Sequence, residues 1–413
     1  MTYGNVKLRN SPGAATVVVS VVCLQWATAC SDADAPQNLS RSSREYQENL
    51  VSRVSPVQPT ILDEHQAVIK PTQTGTMAKP SWENAGDGNE QASPSPPGEV
   101  TQFDVEQQVR RQLRYNPAAL SVLAEQLVPA GIADAVRPDA IHPVAPQSVT
   151  TGWSAPYSWS NGVDDRVDLS SATGWHLNTI GRLWGVGGCT ATFFGRRLAI
   201  TAAHCIVDSA GNYVAGVFIP AVKGASWPYS IQNVVGAWWG GQYIAKCTNG
   251  APGYWSDCVP EDWALILLED NFPLGHPGWM GFAWLGESDI QSWNKSSIGY
   301  PGCFENNSPA NCQQEHRYGQ FYGCTFGQFL YPRNGFNNGF THGCDNGPGH
   351  SGSGIFTTGL GSFHIFGVDT NQRCTTCTIA EEPNSSVRLN PALDKRLDSF
   401  IFNLMVNLRA VYP

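Results

Sequence analysis

What this sequence lacks narrows it before any motif is read. No apolar run among its 413 residues approaches the roughly 20 that a bilayer-spanning helix needs, so no membrane span is expected. Charged residues are scarce at 14%, and acids outnumber bases to give a formal charge of −9. No basic stripe appears anywhere, which excludes nucleic acid as the main partner. There is no internal repeat. No second CxxC or HxxxH accompanies Cys374–Cys377 at zinc-site spacing, so no metal is expected. What is abundant points elsewhere. Forty-two glycines, 28 prolines and 14 tryptophans describe a loop-rich, mostly β protein, and 41% hydrophobic residues suffice for a sizeable core.

The N-terminus has the pattern of an export signal. Lys7 and Arg9 precede an apolar segment from Ala14 to Trp26, and Ala27-Thr28-Ala29-Cys30 supplies a small-x-small cleavage site after residue 29. Cys30 directly after the cut also resembles a bacterial lipobox, with Ala27 where such boxes usually carry Leu. The chain is therefore expected to be secreted, or anchored to the bacterial cell envelope by lipid at Cys30. Of twelve cysteines, Cys23 lies in the signal and Cys30 follows it, which leaves ten between Cys189 and Cys377. An even number confined to one region of an exported chain predicts about five disulfides.

Composition divides what remains. Residues 31 to 100 are rich in Ser, Pro, Gln, Asn and Glu and read as disordered or linker-like. Residues 101 to 128 read as two helices, the first on Phe103, Val105, Val109 and Leu113, the second capped by Asn116-Pro117 and carrying Leu120, Leu123 and Leu127. A Pro-punctuated stretch follows, and residues 30–160 together are read as a propeptide or linker. From about Asn161 the chain turns to short β-branched and aromatic runs separated by Gly and Asn, which makes residues 161–413 the globular body. At its end Asn390-Pro391 opens an amphipathic helix with Leu393, Leu397, Phe400, Ile401 and Leu404 on one face.

Two stretches of the body stand out. In Cys189 to Cys205, CTATFFGRRLAITAAHC, two strand-like runs flank a Gly-Arg-Arg turn, and a Cys189–Cys205 bridge would staple the hairpin beside His204. A histidine at a pinned strand end can serve as a general base. The second stretch, CDNGPGHSGSGIF from Cys344 to Phe356, packs four glycines around two serines. It is either a flexible surface loop or a loop that presents Ser351 or Ser353.

Together these stretches carry a resemblance. TAAHC at 201–205 and GHSGSG at 349–354 are similar to the histidine and serine signatures of trypsin-like and chymotrypsin-like serine proteases. Gly162-Val163-Asp164-Asp165-Arg166 and Ile180-Gly181-Arg182-Leu183 look closer to the bacterial glutamyl-endopeptidase branch. The resemblance spans roughly residues 161 to 410. It implies two antiparallel β-barrels with a C-terminal helix, a cleft between them, polypeptide substrates, no cofactor and a monomeric enzyme. It also implies a carboxylate opening a buried strand, which Glu261-Asp262-Trp263-Ala264-Leu265-Ile266-Leu267-Leu268 supplies as Asp262, with Glu261 and Asp257 read as exposed acids. An acid there needs donors, and an imidazole N–H is one. His204, Asp262 and Ser351 form the expected triad. The N–H groups of Gly349 and Ser351 form the expected oxyanion hole, a role for which Gly349 can adopt the needed backbone angles.

His350 stands where zymogen-type trypsins carry an aspartate, so activation by that ion pair is not expected. Asp345, six residues before Ser351, matches the base of the trypsin specificity pocket, and Asp369 matches a pocket histidine of the glutamyl endopeptidases. Two carboxylates there favour a cationic side chain, Arg or Lys. Two other classes remain: a catalytically inactive homologue that binds protein, and a carbohydrate-binding module using tryptophans such as Trp238-Trp239.

Overall fold

The computed structural model describes residues 55–66, 98–128, 131–136, 166–172, 174–214, 216–247, 258–303, 312–313, 315–333, 336–371, 384–389 and 401–413. The export signal, Cys30, the Cys374–Cys377 pair, Asp257 and residues 390–400 lie outside the described residues. Strand β1 (Thr60–Gln66) is followed by the hairpin β2–β3 (Glu99–Asp104 and Val109–Arg114), the helix Pro117–Leu127 and the short strand β4 (Ile132–Ala133). After β5 (Val167–Asp168) come six strands, β6 (Ile180–Trp184), β7 (Cys189–Phe193), β8 (Leu198–Thr201), β9 (Val217–Pro220), β10 (Gln232–Gly240) and β11 (Ala264–Leu268). These pair antiparallel in the closed order β6-β7-β8-β11-β10-β9 and back to β6, a six-stranded barrel.

The second half carries β12 (Gly281–Ala283), β13 (Lys295–Gly299), β14 (Tyr318–Cys324), β15 (Phe326–Arg333), β16 (Phe336–His342), β17 (Gly354–Thr357), β18 (His364–Asn371) and β19 (Asn384–Arg388). Their order is β14-β13-β17-β18-β19-β16-β15, all antiparallel. Beyond β14 the short strand β5 pairs antiparallel with it, Tyr318 opposite Asp168 and Gly319 opposite Val167, so β5 and β15 end the sheet. A helix, Ile401–Val411, ends the chain. The architecture is the all-β, chymotrypsin-like pair of barrels with a C-terminal helix. The one parallel pairing among the described strands is β12 with β18.

The barrels form because their strands bury both faces. All five residues of β11, ALILL, are buried, as are all of β7 and β8. The large apolar side chains among them gain about 1.5–3 kcal/mol each when fully buried. Trp238 and Trp239 are buried side by side in β10. That removes this pair as a carbohydrate-binding surface.

Two expectations for the N-terminal region are corrected. Residues 101 to 115 are not a helix but most of the hairpin β2–β3, whose β2 pairs with β10 from Gly236↔Asp104 to Gly240↔Val100. The helical spacing of Phe103, Val105, Val109 and Leu113 is overridden because β10 offers an edge there, and pairing with it buries Val100 and Phe103 completely. Thr60–Gln66, inside the stretch expected to be disordered, is a strand on β3. The helix at 117–127 is present, with Asn116 accepting from the backbone N–H of Ala118 and Ala119 at 3.0 and 3.3 Å. This region also reaches the other half of the fold: β4 pairs with β12, and Asn407 of the last helix exchanges two hydrogen bonds with the backbone of Val57.

Four disulfides join described cysteines: Cys189–Cys205, Cys247–Cys258, Cys303–Cys312 and Cys324–Cys344.

Candidate active site

Register brings the first two residues together. Strands β8 and β11 are neighbours with Ala264 opposite Thr201, so the turn after β8 and the approach to β11 emerge at the same end. The turn Ala203–Cys205 carries His204, and the turn Val259–Glu261 delivers Asp262. The Cys189–Cys205 bridge, with its Cα atoms 5.9 Å apart, fixes the histidine turn from the other side. Its two sulfurs lie near His204, and since they are bonded to each other they are no longer thiolates free to bind metal.

Asp262 is wholly buried and receives two hydrogen bonds from one residue. The backbone N–H of His204 donates to Oδ1 at 2.9 Å, and the ring Nδ1 lies 2.7 Å from Oδ2. Because a carboxylate only accepts, Nδ1 must carry the proton, which leaves Nε2 of the neutral ring as a base. The imidazole keeps 19% of its side-chain surface exposed. Burial works against its protonation, but the charge and hydrogen bond of Asp262, helped by Asp369, outweigh that and raise its pKa above the ordinary 6.5. Glu261, expected to be exposed, is buried instead, 3.9 Å from Lys246 and accepting from the N–H of Gln242. A buried carboxylate needs such partners.

The glycine-rich loop is ordered by its own backbone. Gly349 sits at φ +98°, where an added Cβ would lie 2.3 Å from the carbonyl oxygen of Tyr300, so only glycine fits. Gly352, at φ +86°, packs against Thr201, and its N–H donates to Asp369 O at 2.6 Å. Ser353 is buried, its hydroxyl donating to His350 O at 2.5 Å, whereas Ser351 is only half-buried. The Ser351 carbonyl accepts from Thr190 N at 2.9 Å and lies 3.6 Å from the Cys205 sulfur. The backbone of Ser351 is thus beside the residue that follows His204. Among the described hydrogen bonds none joins the Ser351 hydroxyl to His204 Nε2. Nor do the N–H groups of Gly349 and Ser351 donate to any described residue.

His350 is buried, and that burial, reinforced by the positive charges of Arg166 and Arg182, pushes its pKa well below the imidazole range. It is therefore neutral, and its Nδ1 donates to Asn346 Oδ1 at 3.1 Å. Asn346 in turn donates through Nδ2 to Asp369 Oδ2 at 2.6 Å. Asp369 Oδ1 lies 3.5 Å from His342 Nε2, too long for a good hydrogen bond. Burial raises the Asp369 pKa against the pull of His342, Asn346 and His204. Asp345 is also buried. Both acids thus lie inside the second half of the fold, with Asp369 already engaged. Two further residues of the site, His342 and Thr190, carry no local signal in the sequence, the first a lone histidine in Thr-His-Gly-Cys and the second a threonine in a strand.

No protein-family model matches the chain, and no curated protein sequence matches it. Many solved structures are similar in fold, and three serve as examples. They are a Glu endopeptidase in complex with MPD (18% identity, TM-score 0.42, 60% of this chain and 98% of that one), the protease Anisep from Arthrobacter nicotinovorans (16%, 0.41, 58% and 98%), and the thermostable serine protease AL20 from an extremophilic microorganism (14%, 0.38, 58% and 98%). All three are described as proteases or peptidases. Among the described residues no helix is long and apolar enough to cross a membrane.

Proposed function

We propose that the protein is an exported serine endopeptidase in which His204, Asp262 and Ser351 act as the triad. The observation that carries this reading is the double hydrogen bond from His204 to the buried Asp262, 2.9 Å to its backbone N–H and 2.7 Å to its ring. It leaves Nε2 unprotonated at the edge of a turn that abuts Ser351. Hydrogen bonds of this kind often tighten only when substrate is bound. His204 takes the proton of Ser351, whose Oγ attacks a peptide carbonyl; the oxyanion lies against the N–H groups of Gly349 and Ser351. The tetrahedral adduct collapses to an acyl-enzyme as His204 protonates the leaving amine, and water, activated by the same ring, releases the acid. Asp345 and Asp369 are proposed to favour Arg or Lys at the cleaved position. Residues 1–29 leave as the export signal whether or not Cys30 then carries lipid, and residues 30–160 form a propeptide that restrains or assists folding, with an anchoring stalk as the alternative. The test is labelling with a fluorophosphonate probe together with digestion of a peptide library. Labelling at Ser351 and cleavage after basic residues are expected; a folded protein that neither labels nor cleaves would instead be an inactive binding homologue.

A further inference from the structure

Thr190, the residue after Cys189, touches both halves of the candidate site. Its N–H donates to Ser351 O at 2.9 Å, and its carbonyl accepts from Thr201 Oγ1 at 2.8 Å, three residues before His204. Its hydroxyl accepts from Tyr300 N at 2.9 Å and lies 2.7 Å from Gly349 O. The backbone N–H can only donate, so the single hydroxyl proton must point at Gly349 O.

That carbonyl belongs to the peptide between the two that carry the expected oxyanion donors. In a trans peptide N–H and C=O point in opposite directions, so pinning an oxygen aims the nitrogen. Gly302 N holds Pro348 O at 2.7 Å and thereby aims Gly349 N–H away from it. Ser353 N, at 2.8 Å, and its hydroxyl hold His350 O and so aim Ser351 N–H. The Gly349–His350 peptide lies between them; its N–H donates to Gly347 O at 2.9 Å within the same loop, and its oxygen is held from outside the loop by Thr190. Were it to rotate, the two donors would no longer converge, and Gly349, lacking a Cβ, offers little resistance of its own.

We propose that the Thr190 hydroxyl is a positioning residue, fixing the Gly349–His350 peptide so that the N–H groups of Gly349 and Ser351 face one point. This rests on the serine-peptidase reading above. The plainer alternative is a buried hydroxyl that only satisfies its strand. Thr192, two residues further along β7, is the matched comparison: it is equally buried and accepts from Gly354 N at 3.2 Å, beyond the two donor-bearing peptides.

The experiment uses the full chain and diisopropyl fluorophosphate. The Ser351 Oγ–P bond forms, the P–F bond breaks, fluoride leaves and the hydroxyl proton passes to His204. Removing an oxyanion donor outright costs about 10²–10³ in rate, so Thr190→Val, which only loosens the donors, is expected to slow phosphorylation of Ser351 by about 10–100-fold. The pH midpoint of the reaction should stay where it is, because the His204–Asp262 pair is untouched. Thr190→Ser should restore the parent rate, and Thr192→Val should lower the melting temperature comparably while reacting normally. A parent rate in Thr190→Val, an equal loss in Thr192→Val, or no rescue by serine overturns the proposal. Should Thr190→Val fail to fold, Thr190→Ala removes the same hydroxyl with less strain; failure of both makes the hydroxyl a folding determinant and also overturns it. A folded parent that does not react removes the serine-peptidase reading itself, and this proposal with it.

Discussion

Replacing Asp262 with asparagine changes one atom and should nearly stop the reaction. Two donors from His204 meet the carboxylate, the backbone N–H on Oδ1 and the ring Nδ1–H on Oδ2. An asparagine offers one oxygen and one NH2. The backbone N–H cannot change its role, so the oxygen stays with it and the NH2 turns toward the ring. Nδ1 then has to accept, the ring proton moves to Nε2, and the atom that should take the Ser351 proton already holds one. Loss of the correct tautomer in a triad of this kind costs about 10⁴ in rate, or roughly 5.5 kcal/mol of barrier. Removing the charge also removes the main influence that raises the His204 pKa, so the acid limb of the rate profile should move to lower pH. Stability should suffer little, since taking a charge out of a buried pair also removes its desolvation penalty. The assay is the rate of fluorophosphonate labelling of Asp262→Asn against pH, with circular dichroism to show that the fold is kept. A labelling rate within tenfold of the parent, or an unmoved acid limb, refutes the reasoning.

Further outcomes are expected. Ser351→Ala should abolish labelling, whereas Ser353→Ala should still label, more slowly than the parent because only Ser353 N then holds His350 O, and lose about 1 kcal/mol of stability with the hydroxyl's bond to that oxygen; denaturant titration measures the second, and the reverse pattern of labelling would exchange the two serines. In the parent, activity needs the neutral imidazole, so the rate should climb with pH through a midpoint above 6.5 and fall away below it; stopped-flow labelling across pH locates that midpoint, and one below 6.5 contradicts the influence of Asp262. Replacing Cys189 and Cys205 with alanine opens a loop of sequence separation 16 and should cost about 3 kcal/mol, read as a lowered melting temperature with labelling weakened further as the His204 turn loosens.

The parts of the site that the sequence announced are those built from short contiguous stretches. His204 and its bridge lie within one seventeen-residue hairpin, Cys189 to Cys205, and Asp262 was legible because an acid opening the run Trp263–Leu268 can only be buried. What depends on contact across the fold was not legible. The hairpin at 99–114 reads as a helix until the edge of β10 is there to pair with it, and Glu261 reads as exposed until Lys246 is brought to it. Asp345 and Asp369 were placed by their distance from Ser351 and their motif, but their burial, and the hold of Asn346 on Asp369, come only from the packing of β16, β18 and β19.

The N-terminal strands also bear on how the protein can be made. A gene trimmed to begin at residue 166 would look like a complete two-barrel enzyme, yet it would leave the Gly236–Gly240 flank of β10 with no partner for its backbone groups. A bare ribbon of that sort is an invitation to a second chain to dock sideways, and so on down a growing stack. Such a trimmed product should precipitate where the longer chain stays dispersed, and adding residues 55–136 as a separate peptide should keep it in solution.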